Sequence, residues 1–388
     1  MSKRIELITH PPFNPIHDGL YQPFELLNNF DPDNPLSLTV TLDFQNFIYF
    51  NQQGRTSISD PYAGMMEAVH DASIGRGLNA FIENEMNAGR RPVAIMGGHQ
   101  EPRGSDIYRY VARIAQLLSE SGFIIASGGG PGCMEAAHLG ALFAGRSEDS
   151  LISAIDILEK SYAKLPGNLK EVLKEGTTWT INEELVSELH AWMLPAWKIA
   201  QELKEQLTPL NRSLAVPTWH YGHEPLTPFA THIAKYFLNS IREDVLLTLD
   251  TCGIIYSEGR GGTIQEVFQN AAQVYYRGEK DPPTSMLFLG SKFWTLPEVP
   301  DGKLHMPVMD LLQQLFVVTE KMTEKEFKRY VRLVDNTDEV VKIIIENAPT
   351  VDQVIQNFEK IGINNIDPEL MAKGAATFMS NSRNNLDA

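Results

Sequence analysis

The sequence predicts an α/β protein built on a doubly wound, Rossmann-like, mostly parallel sheet, with a helical insertion and an extra N-terminal region. Short continuous apolar runs alternate with helical patterns from residue 91 onward. Runs of that kind are buried on both faces, which favours parallel strands joined by right-handed crossovers. Two of them end in glycine-rich turns that open helices: Ser127-Gly-Gly-Gly-Pro-Gly-Cys-Met-Glu135 and Glu258-Gly-Arg-Gly-Gly-Thr-Ile-Gln-Glu266. A glycine turn between a strand and a helix offers successive backbone N–H groups to an anion, so the pair points to a nucleotide phosphate site.

Residues 1–90 form an N-terminal accessory region. Pro11, Pro12, Pro15 and Pro23 mark a loop, and then Leu38, Val40, Leu42 and Phe44 alternate with Thr39, Thr41 and Asp43, which predicts a strand. Beyond Pro61, apolar Met65, Met66, Val69, Leu78, Phe81, Ile82 and Met86 fit helical spacing, interrupted near Gly75 and Gly77 and closed by Gly89. The Rossmann-like domain spans 91–346. Its first strand is 92–96, followed by the turn Gly97-Gly98-His99-Gln100 and a helix carrying Ile107, Val111, Ile114, Leu117 and Leu118. Further strands are predicted at 123–127, 213–217, 253–256, 285–289 and 330–334. The insertion, about 147–211, is rich in Leu, Glu, Lys and Ala and broken by Pro166, Gly167 and Pro195, so two or three helices are expected. It reads equally as a lid over the carboxyl ends of the strands or as a structural addition. Residues 347–388 hold one amphipathic helix, 351–361, and a polar tail that is expected to fray.

The chain has 388 residues, 43% hydrophobic and 21% charged, an ordinary globular composition. Its formal charge of −16 argues against a broad electrostatic footprint for nucleic acid or anionic membrane and confines any anion site to a local pocket. Cys133 and Cys252 are the only cysteines, so neither a disulfide framework nor a structural zinc site is suggested. No apolar stretch follows the basic start, and no run reaches the roughly 18 residues of a membrane span. A soluble, cytoplasmic protein is expected, without nucleic-acid or membrane partners.

In the second turn Gly259, Gly261 and Gly262 permit close approach of a phosphate. Ile264, Val267, Phe268, Ala271 and Tyr275 share one face of the following helix, with Thr263 at its start and Glu266 one turn on. Thr263-Ile-Gln-Glu266 also satisfies the capping-box pattern, in which the glutamate only closes the helix. A carboxylate beside a bound phosphate meets like-charge repulsion, which a purely structural residue has little reason to tolerate. Thr218-Trp-His-Tyr-Gly-His-Glu224 gathers two histidines, two aromatics and an acid that either stack a base or pack the interior. His220, His223 and Glu224 lack a third ligand motif, so no metal is assigned. Trp192 and Trp197 read as core.

These motifs together resemble the LOG family, formerly labelled lysine decarboxylase-like, whose characterised members are nucleoside 5′-monophosphate phosphoribohydrolases. The resemblance covers about 92–346. The family pattern Pro-Gly-Gly-x-Gly-Thr-x-x-Glu falls with Glu258 at its proline, Gly259 and Arg260 at its first two glycines, Gly262 at the third, Thr263 at the threonine and Glu266 at the glutamate. Arg260 places a cation in the loop, where it either binds phosphate or blocks it. The family's helix-borne arginine falls at Arg242, one residue further from the motif than the family spacing, with Arg212 as the weaker substitute. Gly128, Gly129, Gly130 and Gly132 match the first motif. Glu135, and Gly98 with His99, resemble the long bacterial nucleotide 5′-monophosphate nucleosidases; plainer readings are a helix-dipole carboxylate for Glu135 and a structural turn histidine for His99.

The resemblance implies N-glycosidic hydrolysis to free base and ribose 5-phosphate, with Glu266 and Arg242 catalytic. Gly98, His99, Gly129, Gly130, Gly132, Glu135, Gly259, Arg260, Gly261, Gly262 and Thr263 would bind substrate. It implies no cofactor, and a homodimer or higher homo-oligomer. The alternatives are a non-catalytic nucleotide-binding or sensing protein on the same fold and an NAD-dependent oxidoreductase, for which the glycines at 128–132 stand in the wrong register.

Overall fold

The computed structural model describes residues 2–373 except 56, 59, 168, 221–223, 250–251, 279–282, 361–362 and 364–365. The N-terminal region holds β1 (Ser2–Arg4), α1 (Pro23–Leu26), α2 (Leu42–Gln52) and α3 (Pro61–Asn87). Then come β2 (Arg91–Met96), α4 (Asp106–Glu120), β3 (Phe123–Ser127) and α5 (Cys133–Leu142). The insertion supplies α6 (Glu148–Tyr162), β4 (Leu173–Lys174), β5 (Thr180–Asn182) and α7 (Glu183–Leu203). It is followed by β6 (Ser213–Ala215), β7 (His232–Ile233), α8 (Asn239–Thr248), β8 (Ile254–Tyr256), α9 (Gly261–Tyr276) and β9 (Met286–Leu289). The chain closes with α10 (Met309–Gln313), α11 (Glu324–Tyr330), β10 (Val331–Val334), α12 (Thr337–Asn347) and α13 (Val351–Lys360).

A seven-stranded sheet in the order β10-β9-β8-β2-β3-β6-β7 has every neighbouring pair parallel. The expected fold class is therefore present. The chain starts at β2, winds out through β3, β6 and β7, then returns to β8 on the other side of β2. Consecutive β2 residues alternate between the two faces, as the pleat requires. Val93 and Ile95 pack with Ile125, Ile255 and Leu287 against helices α4, α5 and α12. Ala94 and Met96 pack with Ile124, Ala126, Tyr256 and Phe288 in the core that also takes the N-terminal region, from Phe13 to Met86. That region thus shares a core with the sheet.

The strand expected over 38–44 is a short 3₁₀ turn followed by α2. Thr41 stops the extended reading: its hydroxyl accepts the Phe44 N–H at 3.3 Å as a helix cap. Because α2 buries Asp43, Phe44, Asn46 and 47–50 together, its apolar residues need no helical stripe. α3 runs unbroken through Gly75 and Gly77, where an interruption was expected. Gly77 is there for a neighbour, since a Cβ would strike the carbonyl of Gly19. Gly89 closes α3 at φ +81°, as expected. The insertion has two helices, plus β4 and β5, which join β1 in a small antiparallel sheet that no sequence pattern announced. β7 was likewise missed, being two residues long. The tail at 380–388 lies outside the described residues.

Two polar groups are committed to the interior of the N-terminal region. Asp43 on α2 and Lys235, just past β7, pair at 2.6 Å with both side chains 2% exposed, and the same carboxyl oxygen accepts Trp219 Nε1–H at 2.9 Å. Glu67 on α3 is buried, and neither carboxyl oxygen has a partner among the described residues. Burial, reinforced by the charge of Asp71, pushes its pKa from 4.5 up to about 8. The native state therefore binds this proton more tightly than the unfolded chain does. Its contribution to stability is complete below pH 4.5 and is lost as pH rises through about 8. Wild type should lose roughly 1.4 kcal/mol per pH unit across that window. Urea unfolding of Glu67→Gln should lack this slope, and a slope that survives the substitution would assign it elsewhere.

Candidate functional site

In doubly wound sheets a crevice opens where strand order reverses, outside the carboxyl ends of the strands. Here that point lies between β2 and β8. The turns after β2, β3 and β8 meet there at backbone distance: Gly98 N–H donates to the Glu258 carbonyl at 2.8 Å, and Cys133 N–H donates to the Gly98 carbonyl at 3.1 Å. A Cβ on Gly97 would lie 2.7 Å from Cβ of Cys133, and one on Gly132 (φ +69°) would strike the Gly98 carbonyl. These positions are glycine because three backbones occupy one place.

Over this floor lies Arg242, carried by α8. Its Nε–H donates to the Val216 carbonyl at 3.1 Å, and Nη1 reaches Oε1 of Glu266 on α9 at 3.4 Å. The two side chains are 12% and 13% exposed. A Cβ on Gly128 would stand 2.5 Å from Arg242 Nη2, so that glycine makes room for the guanidinium. Burial pushes the Glu266 carboxyl above its ordinary pKa, Arg242 opposes the shift, and Glu243 adds to it. Glu243, next to Arg242 in the chain, takes Asn239 and Gln265. Arg212 is committed to Glu85 at 2.6 Å and drops out as the substitute.

The capping box is not formed either. α9 begins at Gly261 with Arg260 as its cap residue, and no side chain hydrogen-bonds to the cap. Thr263 is buried, its hydroxyl where a Cβ of Gly259 would be, which leaves Glu266 in the second turn, free to meet Arg242. The first N–H groups of a 16-residue helix thus face outward with their positive potential. Gly261 and Gly262 are exposed, and a Cβ on Gly262 would meet no atom within 4 Å, Arg260 included. Arg260 is itself exposed and has no ion-pair partner among the described residues.

The sequence-predicted residues therefore divide. His99, Arg260, Gly261, Gly262, Arg242 and Glu266 reach the surface of the crevice, whereas Gly98, Gly129, Gly130, Gly132, Gly259 and Thr263 shape its floor. Glu135 needs correction as a substrate-binding residue. It is fully buried, takes Arg103 through both oxygens at 2.7 and 2.8 Å, and accepts the Tyr108 hydroxyl at 2.8 Å. Arg103 also lies 3.9 Å from the Trp192 ring centre and donates to the Trp192 carbonyl at 2.8 Å, fastening the insertion to the support of the site. Cys133 is structural as well, its thiol pushed up to about 12 by burial.

In the segment 218–224, Trp219 is interior packing, stacked on Phe237 at 4.4 Å, while Tyr221, Gly222 and His223 lie outside the described residues. Glu224 is half-buried beside Gly130, its Oε2 3.3 Å from where a Cβ there would be. Among the described residues no three His, Cys, Asp or Glu side chains form a metal site, and no helix is long and apolar enough to cross a membrane. Trp192 and Trp197 both belong to or pack on the core, as expected.

Sequence reasoning missed the support of Arg242 from α3. Asp71 accepts the N–H groups of Phe237 at 3.0 Å and Leu238 at 2.9 Å, at the start of α8. His70 donates to Asp71 at 3.1 Å and accepts from Tyr21 at 2.9 Å. Neighbouring His70 and Asp71 in a helical stretch give no signal of this until the fold is known. Asp71→Ala would leave the buried Phe237 amide and the part-buried Leu238 amide without their acceptor, at a cost of about 1–3 kcal/mol. Hydrogen exchange at Phe237 and Leu238 should accelerate accordingly, and unchanged protection would show that another group holds the helix.

No family model matches the chain, and no curated protein does. Among solved structures it is similar to the molybdenum cofactor binding protein from the phototrophic bacterium Rippkaea orientalis, with 12% sequence identity and a TM-score of 0.34. That match covers 66% of this chain and 96% of the other, and at such a score it carries no argument about the site.

Proposed function

We propose that the chain is a nucleoside 5′-monophosphate phosphoribohydrolase that releases free base and ribose 5-phosphate. We place it in the cytoplasm, as a homodimer or higher homo-oligomer. The observation that carries this reading is the Arg242–Glu266 pair beside the uncapped start of α9 at the strand switch point. Phosphate bound by the amides of 260–262 would fix the far end of the nucleotide and turn its binding energy into positioning of C1′. As the C1′–N bond breaks, the base leaves with the electron pair and positive charge spreads over C1′ and the ring oxygen. The Glu266 carboxylate stabilises that charge and orients the incoming water, whose proton ends on the base or in solvent. Arg242 keeps the half-buried carboxylate ionised and in place. The Arg260 side chain, exposed at the turn, is available to the phosphate.

The test is base release from a panel of purine and pyrimidine monophosphates. Glu266→Gln should lower turnover by roughly 10²–10³-fold while nucleotide binding persists. Because Glu266 titrates above an ordinary carboxyl, the acid limb of the wild-type kcat/KM profile should break above the usual glutamate value. Unchanged turnover in the variant would remove Glu266 from the mechanism. Nucleotide binding by wild type without any base release would favour a sensor on the same fold.

A further inference from the structure

We propose that Glu224 is a second carboxylate that touches substrate, accepting hydrogen bonds from the 2′- and 3′-hydroxyls of the sugar and so selecting ribose over 2′-deoxyribose. The inference rests on the phosphoribohydrolase reading for its substrate class. Glu224 itself belongs to none of the motifs behind that reading. Glu224 follows β6, on the loop that leads to β7, and its Oε2 lies 3.3 Å from the vacant Cβ position of Gly130. Two residues earlier, the vacant Cβ position of Gly128 holds Arg242 Nη2 at 2.5 Å. Met134 runs beneath both, its Sδ 2.5 Å from the first position and its Cε 3.0 Å from the second. Glu224 and the Arg242–Glu266 pair therefore overlie one short stretch of side-chain-free backbone.

The state of the Glu224 carboxylate says what it suits. It is half-buried, and among the described residues it has neither a hydrogen bond nor an ion pair. Glu266 is engaged by Arg242, Glu243 by Asn239 and Gln265, and Glu135 by Arg103 and Tyr108. A carboxylate offers only acceptors, so a phosphate is repelled and a donor is required. A vicinal diol presents two hydroxyl donors at a spacing that two carboxyl oxygens can meet. The diol carbons sit one and two bonds from C1′, the atom that Glu266 addresses. With 2′-deoxyribose one of the two hydrogen bonds is lost, and a partly desolvated carboxylate is left half satisfied.

The experiment compares kcat/KM for a ribonucleoside monophosphate and its 2′-deoxy counterpart with the same base, using full-length wild type and Glu224→Gln. Wild type should prefer the ribonucleotide, and the ribo-to-deoxy ratio should fall by about 10–100-fold in the variant, the range of one charge-assisted hydrogen bond. A ratio that stays the same, whether both rates fall together or neither changes, overturns the assignment. Should wild type release no base at all, the catalytic reading fails alone. The Kd ratio for the same two nucleotides, measured by titration calorimetry on both proteins, then decides Glu224 by the same criterion.

Discussion

Close backbone approach at the strand switch point is the constraint on which the rest of this molecule depends. The turns after β2, β3 and β8 touch through main-chain atoms, with Gly98 donating to Glu258 and accepting from Cys133. That contact is possible only where side chains are absent, and it draws the outer helices inward. α9 reaches the crevice because the β8 turn is pinned against Gly98, and Arg242 crosses to it because Gly128 leaves room beneath. The glycines of the first motif, which read as ligand contacts, act chiefly through this packing. The exposed, uncapped helix start lies in the second turn instead, at α9.

The N-terminal region is the other half of this arrangement. Asp43 and Lys235 give up hydration to pair in the interior, a trade that seldom adds much stability but penalises any packing that separates them. Asp71 performs a related task with neutral partners by holding the amides that precede α8. Both contacts join residues far apart in sequence. The region that carries no recognisable motif therefore sets the position of a helix whose arginine faces Glu266. The carboxyl of Glu67, by contrast, has no partner among the described residues, and ionising it as pH rises through about 8 lowers stability.

The sheet domain was legible because burial on both faces leaves a plain mark: the runs at 93–96, 123–127, 254–256 and 286–289 are almost wholly apolar. The N-terminal region was less so. At 38–44 an alternation seven residues long fits a strand or the buried start of a helix, and the deciding contact, Thr41 on Phe44, is local but not periodic. At the site, the Arg242–Glu266 pairing was readable from the motif and its spacing. The fate of Glu135 was not, since the arginine that covers it sits 32 residues away at Arg103. Asp71 escaped for the same reason, because its partners Phe237 and Leu238 are chosen by a chain crossing that a linear pattern does not record.

One consequence follows from the way β7 ends the sheet. Tyr21 exchanges both main-chain hydrogen bonds with Ile233, at 3.1 and 2.8 Å, as a single antiparallel bridge. An outermost strand with open amides is a template onto which a neighbouring molecule can add, and here those groups are already occupied by the chain's own N-terminal segment. Growth into ribbons by strand addition is thereby closed off on that flank. A variant that loosened residues near Tyr21 would expose a sticky border, and its first symptom would be fibrous aggregation rather than loss of chemistry.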